Sequence, residues 1–282
     1  MRYVLPSVAL QPAEGGFWNL RLRDGPGTEF VSWPLAELGG FTGRPAIVIA
    51  TGPTANDFDW PSLADGRRLI WAVNGASTLL SNHGLHCDFL VITDHRFARD
   101  GADHIERAVD QGAALLFSYE AAAGFAATRP AVLSRAPFHV FEKANAWFGL
   151  PAVNAEELAR LNAESGEPFV LPEQAALGVG WSHNPELGVF AGRTVAFAAL
   201  QLVVWSGSHD IEIVGLDLGG KTRAYEEANP VVSHLEKDLR DFILPSFQCM
   251  AAALAGRSIR ITNLSKTSPL PRNLVPETSE TP

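Results

Sequence analysis

Ala46-Ile47-Val48-Ile49-Ala50-Thr51-Gly52-Pro53-Thr54 runs through apolar and β-branched residues and stops in glycine. Far downstream, Ile211-Glu212-Ile213-Val214-Gly215-Leu216-Asp217-Leu218-Gly219-Gly220 repeats the pattern. A short apolar run that ends in a glycine turn reads as a buried parallel strand delivering the chain to a loop. Working outward from strands at 45–51 and 210–216, further strands fit 68–73, 88–93, 113–118, 137–142 and 258–263. Helical spacing fits 75–82, 97–111, 119–127, 154–164, 193–206 and 235–255. This alternation predicts an α/β fold, a Rossmann-like and mostly parallel sheet with helices on both faces.

The flanks read differently. Residues 17–33 alternate aromatic and polar side chains around Asp24-Gly25-Pro26-Gly27, the pattern of a hairpin, so residues 1–44 form an N-terminal hairpin extension. The α/β domain covers 45–265. Within it, 143–190 is rich in Gly, Pro, Asn and Glu and breaks the rhythm, as a lid-like insertion or a plain surface excursion would. The stretch 266–282 is rich in Pro, Ser, Thr and Glu and is expected to be a flexible tail.

Bulk properties narrow the function classes. The 282 residues are 46% hydrophobic, enough for a large core. The net charge of −9 argues against nucleic-acid partners, which need a surplus of Lys and Arg. An anionic ligand must then be held by a few placed cations and backbone amides. Cys87 and Cys249 read as two buried thiols in a reducing compartment. The first residues, Met1 to Pro6, carry no apolar signal-peptide core, and no apolar run is long enough to span a bilayer. A cytoplasmic location is expected, with room for peripheral contact at the inner face of the inner membrane.

Several strand ends carry chemistry-bearing residues. Thr51, Gly52, Pro53 and Thr54 form either a phosphate-approaching loop or a tight turn, with Thr54 or Asn56 as cap of the next helix. Asn74 and Gly75 end the second strand, where an amide that both donates and accepts suits a base or ribose edge, and where Asn-Gly also suits a turn. Asp94 and Arg96 end the third strand, as ligands to a sugar hydroxyl and an anion or as a helix cap with a local ion pair. Gly192, Arg193 and Thr194 open an almost wholly apolar helix, with Arg193 aimed inward at an anion or paired with a structural acid. Past Asp217 lies a basic loop containing Lys221 and Arg223, with Tyr225 at its end. Ser233-His234-Leu235-Glu236 then reads as a capping box that places His234 in a first helical turn, where the helix dipole favours neutral imidazole.

Taken together, Gly52-Pro53-Thr54, Ala72-Val73-Asn74-Gly75, Leu79-Leu80-Ser81-Asn82, Ile92-Thr93-Asp94-His95-Arg96-Phe97, Thr194 to Gln201 and Gly215-Leu216-Asp217-Leu218 resemble the lipopolysaccharide-core Kdo transferase family. The resemblance covers residues 46–100 and 188–265. The same blocks more distantly resemble the bacterial CMP-sialic acid-dependent sialyltransferases, metal-independent enzymes with one nucleotide-binding α/β domain. Both resemblances imply a donor in which a 2-keto sugar acid is linked to CMP, with no further cofactor. They imply CMP contacts from the Gly52-Pro53-Thr54 loop, Asn74 and Asp94, although the sialyltransferases carry asparagine where Asp94 stands; Thr51, Gly75, Arg96, Gly192, Arg193, Asp217 and Lys221 are the further donor-binding candidates at these strand and helix ends. Of the two tyrosines that hold the donor phosphate in that family, Tyr225 matches the second and Gly219 occupies the place of the first. Arg193, Lys221 and Arg223 are the cations available to compensate. His234 matches the catalytic base.

The implied reaction moves Kdo, or a related ulosonic acid, from CMP to a lipid-linked inner-core acceptor, metal-independently and with inversion. Tyr225, Arg223 and nearby cations would stabilise the departing phosphate. His234 would take the acceptor proton. The aromatics Phe17, Trp18, Trp147 and Phe148 fit either the core or a membrane surface. Two alternatives stay open. The Gly-Pro-Thr and Gly-Leu-Asp blocks also vaguely resemble archaeal pterin pyrophosphokinases, which would need Mg²⁺ on carboxylates such as Asp94 and Asp217. A noncatalytic nucleotide-binding assembly protein would keep the fold and lose the chemistry.

Overall fold

The structure is a computed structural model that describes residues 7–23, 28–148, 150–173, 176–219, 223–224 and 235–276. An antiparallel trio comes first, β1 (Val8–Pro12), β2 (Trp18–Leu22) and β3 (Glu29–Val31). Next come β4 (Ala46–Ile49), β5 (Leu69–Val73), α1 (Ala76–Asn82), β6 (Phe89–Ile92), α2 (His95–Asp100) and α3 (Ala102–Asp110). They are followed by β7 (Ala114–Ser118), α4 (Tyr119–Thr128), α5 (Pro130–Leu133) and β8 (Phe138–Phe141). The chain continues with α6 (Ala155–Glu164), β9 (Phe169–Val170), β10 (Trp181–Ser182), α7 (Val195–Trp205) and β11 (Asp210–Val214). It closes with α8 (Leu235–Asp238), α9 (Leu244–Leu254) and β12 (Arg260–Asn263).

Seven strands form one parallel sheet in the order β12-β11-β4-β5-β6-β7-β8. Their near-continuous apolar runs follow from burial on both faces. In β4, Ile47 and Ile49 join the α1–α5 layer, while Ala46 and Val48 face the α7 and α9 layer. Register carries this alternation across the sheet, with Val48 opposite Trp71 in β5 and Ile213 in β11. Because β4 leads toward one layer and β11 toward the other, strand order reverses between them. In open α/β sheets the crevice outside the carboxyl ends at such a reversal is where ligands bind.

The seven main-sheet strands expected from sequence all form. The expected helix over 97–111 divides at Gly101, where a Cβ would lie 2.8 Å from the Phe97 ring. The expected helix over 235–255 is interrupted by a π turn at Leu239–Ile243. Pro245, just inside α9, lacks the N–H that would close the preceding α turn, and the wider turn absorbs that loss. The hairpin gains β1 as a third strand, and Val8, Leu10, Trp18, Leu20 and Phe30 bury against the α4 side; its turn residues 24–27 lie outside the described residues.

The 143–190 insertion is rooted in the core. Phe169, Val179, Trp181 and Phe190 are buried against the α7 and α9 layer. Gln201, buried inside α7, accepts from the Ser182 and Phe190 amides and donates to the Phe190 and Phe197 carbonyls. An otherwise apolar helix thereby grips the insertion through one amide. The tail expected to be loose is packed as far as residue 276. Leu270, Leu274 and Val275 are buried in the core, and Thr262 bridges Asn273 at the edge of β12. Three apolar side chains among the prolines outweigh the polar composition. Residues 277–282 lie outside the described residues. Among the described residues, no helix is long and apolar enough to cross a membrane. Cys87 and Cys249 are buried free thiols, and burial pushes Cys87 up to about 12.

Candidate functional site

The reversal between β4 and β11 brings the two glycine-ended loops together. The Gly52 amide donates to the Gly215 carbonyl at 2.8 Å, and the Ala50 amide to the Val214 carbonyl at 2.8 Å. A methyl on Gly52 would sit 2.3 Å from Asp217 Oδ2 and 2.5 Å from the Gly215 carbonyl, so only glycine fits. Past Gly52 the chain forms a 3₁₀ turn, Pro53–Asp57, with no side-chain cap, rather than a helix capped by Thr54 or Asn56. Thr54 instead turns to Asp217. Its amide donates to Oδ2 at 2.8 Å and its hydroxyl to Oδ1 at 2.5 Å, while Thr267 also donates to Oδ1 at 3.0 Å. Asp217 is buried, and with three donors on its carboxylate it braces the loop. The Thr54 amide that a phosphate would use is consumed by the same brace.

Arg223 and Ala224 are carried to this point. The Ala224 amide donates to the Thr51 carbonyl at 2.9 Å, which sets Arg223 beside the β4 loop. Lys221, Tyr225, Ser233 and His234 lie outside the described residues.

One strand over, Asn74 ends β5 in the left-handed region at φ 49°, and its backbone N–H donates to the Val91 carbonyl at 3.1 Å. Asparagine is among the few residues that tolerate this conformation. Its Oδ1 is buried and has no hydrogen-bond partner among the described residues. Gly75 is buried directly behind it and precedes α1.

At the end of β6, Asp94 caps α2 by accepting from the Arg96 amide at 2.8 Å, and it also meets the Arg96 guanidinium at 3.3 Å. Burial works to raise its pKa, but the hydrogen bonds from the Arg96 side chain and amide outweigh it and hold the carboxyl below its usual value. Of the two readings for this pair, the cap with a local ion pair is the one the fold adopts. Further along the same edge, Lys143 meets Glu120 at 2.5 Å; Glu120 is buried and its Oε2 has no partner among the described residues. Neither residue was singled out from sequence. A strand-end acid followed by a strand-end lysine would have been the signal.

Because α7 runs back from the carboxyl edge toward the start of β11, its N-terminus lies at that same edge. Gly192 and Arg193 both take positive φ, 51° and 57°, and a Cβ on Gly192 would lie 2.5 Å from the Phe197 ring. Arg193 is exposed rather than aimed inward, and its guanidinium lies 4.5 Å from the centroid of the Phe242 ring. Of the four aromatics considered for a membrane surface, only Phe17 is exposed. Trp18 is buried, Phe148 packs edge-on against Trp18 and Tyr119, and the half-buried Trp147 donates to the Leu187 carbonyl.

Thr51, Gly52, Pro53, Thr54, Asn74, Gly75, Asp94, Arg96, Gly192, Arg193, Asp217 and Arg223 therefore all lie along the carboxyl edge. A cavity of about 390 Å³ lies at the amino edge instead, lined in part by Arg68, Asp210, Glu212, Arg260 and Arg272. Its charges are largely spent on each other, Arg68 with Glu212 at 3.1 Å and Arg260 with Asp210 at 2.8 Å.

Neither a protein-family model nor a curated protein matches this sequence. Among solved structures, the chain is similar to the MAf glycosyltransferase from Magnetospirillum magneticum AMB-1, with a TM-score of 0.48 and 16% identity. That match covers 83% of this chain and 36% of the other, so the chain spans about a third of its length. It is also similar to the sialyltransferase CstII of Campylobacter jejuni in complex with cytidine-5'-monophosphate, with a TM-score of 0.46, 13% identity, and 80% and 82% of the two chains covered. A second sialyltransferase CST-II structure, with trisaccharide acceptor and CMP, gives a TM-score of 0.44, 12% identity, and 78% and 81% covered.

Proposed function

We propose that the chain is a glycosyltransferase that moves a ulosonic acid such as Kdo from CMP to a saccharide hydroxyl. The observation that carries this reading is Asn74, held in a left-handed conformation at the end of β5 with its Oδ1 buried and without a hydrogen-bond partner among the described residues. A buried acceptor without a donor is costly unless a ligand satisfies it. The exocyclic amine of cytosine and the ribose hydroxyls are donors of the right kind. The resemblance of residues 46–100 and 188–265 to CMP-ulosonate transferases supports the same choice, because its strand-end blocks, Gly52-Pro53-Thr54, Asn74-Gly75, Asp94 to Arg96 and Gly215 to Leu218, follow β4, β5, β6 and β11 at one edge of the sheet.

The chemistry balances without a redox partner. The acceptor oxygen bonds to the anomeric carbon while the bond from that carbon to the phosphate oxygen breaks, and CMP leaves with the electron pair. The acceptor proton passes to a base, which on the resemblance is His234. Arg193 and Arg223, with Tyr225 and Lys221 on the resemblance, would stabilise the departing phosphate. Direct displacement inverts the anomeric centre. A lipid-linked inner-core acceptor, reached at a membrane surface, belongs to the same proposal. The Mg²⁺ alternative draws less support, because Asp94 is engaged by Arg96 and Asp217 by Thr54 and Thr267.

A nucleotide panel followed by thermal shift, with and without EDTA, tests the reading. CMP is expected to stabilise the protein more than UMP, which lacks the exocyclic amine, and EDTA is expected to change nothing. Stabilisation by ATP with Mg²⁺ alone would overturn it. Binding of CMP without turnover of any CMP-ulosonate would leave a nucleotide-binding protein without the transfer step.

A further inference from the structure

We propose that Phe242 is a positioning residue whose ring holds the Arg193 guanidinium at the carboxyl edge, where that cation meets an anionic group of the nucleotide-linked donor. The inference rests on the reading above and adds to it the residue that keeps the cation in place.

Four observations converge. First, Arg193 pays for its position, since it and Gly192 take two successive left-handed conformations, and arginine gains nothing from that region by itself. Second, Gly192 has no freedom to relax, because the Phe197 ring fills the space of its missing side chain. Third, the exposed guanidinium finds an aromatic face at 4.5 Å rather than an acid. Among the described residues no carboxylate pairs with it, so its charge stays available. By contrast, the exposed Arg135 and Arg160 are each tied to acids. Fourth, Phe242 sits on the π turn Leu239–Ile243. One extra residue in a helical turn swings the following side chains by about 100°, and π turns recur at functional sites. The turn places a ring at Arg193 while Phe247, on the regular helix beyond it, packs on Phe197. Two rings from one helical unit thus flank the start of α7, Phe247 against the Phe197 ring and Phe242 against the Arg193 guanidinium.

A double-mutant cycle tests this. Phe242→Met keeps apolar volume but removes the π face, Phe242→Trp supplies a stronger one, and Arg193→Ala removes the cation. Affinity for CMP is measured by calorimetry for each, together with thermal unfolding, and donor KM and kcat are measured where turnover exists. Phe242→Met is expected to weaken CMP binding roughly 2- to 5-fold, the scale of an exposed cation–π contact. Phe242→Trp is expected to match or exceed wild-type affinity, and Phe242→Met in the Arg193→Ala background to add no further loss. Equal losses from Phe242→Met in both backgrounds would overturn the proposal, as would unchanged affinity in a Phe242→Met protein that unfolds like wild type. If Phe242→Met fails to fold, Phe242→Trp decides, since loss of affinity in a folded Trp variant contradicts a π-face role and retained affinity supports it. Wild-type protein with no affinity for cytidine nucleotides would overturn the functional reading itself, a failure visible before any variant is made.

Discussion

Asp217 and Thr54, 163 residues apart in sequence, are joined twice, with the Thr54 amide on one carboxylate oxygen and its hydroxyl on the other. This pair closes the β4 loop onto the β11 loop and fixes the floor of the crevice. Asp217→Ala is expected to cost about 3 kcal/mol, the scale of losing charge-assisted hydrogen bonds at a buried carboxylate. Thr54→Val keeps the amide bond, loses only the hydroxyl, and should cost about 1.5 kcal/mol. Urea unfolding midpoints at constant m read both.

Gly52 is the steric counterpart of that pair. Its missing methyl would lie 2.3 Å from the Asp217 carboxylate, although its φ of −67° is available to any residue. Gly52→Ala should therefore push the two loops apart and lower Tm by several degrees, whereas Gly39→Ala, with nothing within 4 Å of the new methyl, should be neutral or slightly stabilising. Differential scanning calorimetry on both variants separates a steric effect from a generic glycine effect.

Asn74 predicts a trade between stability and binding. Asn74→Gly removes the cost of a left-handed side chain and should leave stability unchanged or raise it by up to about 1 kcal/mol. It also removes the unpartnered Oδ1, and CMP affinity should fall by about 10-fold or more. A variant that unfolds no earlier than wild type yet binds CMP equally well would show that Asn74 serves the turn alone.

His139, buried in β8 with Nδ1 3.0 Å from the Pro34 carbonyl, sets a pH dependence. Burial, acting against the Pro34 and Trp33 backbone hydrogen bonds, holds its pKa below the ordinary 6.5. The unfolded chain then binds more protons than the folded one below about pH 6.5, so stability falls as pH drops from 6.5 toward the folded value and is flat above pH 6.5. His139→Gln should flatten that acid-side slope in unfolding midpoints taken between pH 7.5 and about 5.

Glu120 and Lys143 predict an asymmetry. Lys143→Met leaves the Glu120 carboxylate buried without its partner and should cost about 2 kcal/mol, less than for a fully buried pair because Lys143 is 35% exposed. Adding Glu120→Gln should recover part of that loss. A double variant less stable than Lys143→Met alone would contradict this account.

The architecture was legible because burial on both faces leaves apolar runs such as Ala46–Ile49 and Leu69–Val73, and parallel strands need helices between them. The strand ends that carry the candidate site were legible for the same reason. What escaped was set by partners distant in sequence. Nothing in the spacing shows that the chain would leave helical geometry at Gly101, which caps α2 and opens α3. Nor does composition show that Leu270, Leu274 and Val275 would find an open strip of core beside β12.

Sequence alone determined a parallel α/β sheet with glycine-ended strands, and placed Asn74, Asp94, Arg193 and Asp217 at strand or helix ends, because periodicity and glycine act within a few residues. Only the tertiary structure decided what each does. It turned Asp217 inward as a brace, set Asp94 on Arg96, left the Asn74 Oδ1 without a partner among the described residues and laid Arg193 on Phe242. The physical reason is that a polar group's role depends on which donors, acceptors and rings the fold brings within about 3–5 Å, and those lie scores of residues away along the chain.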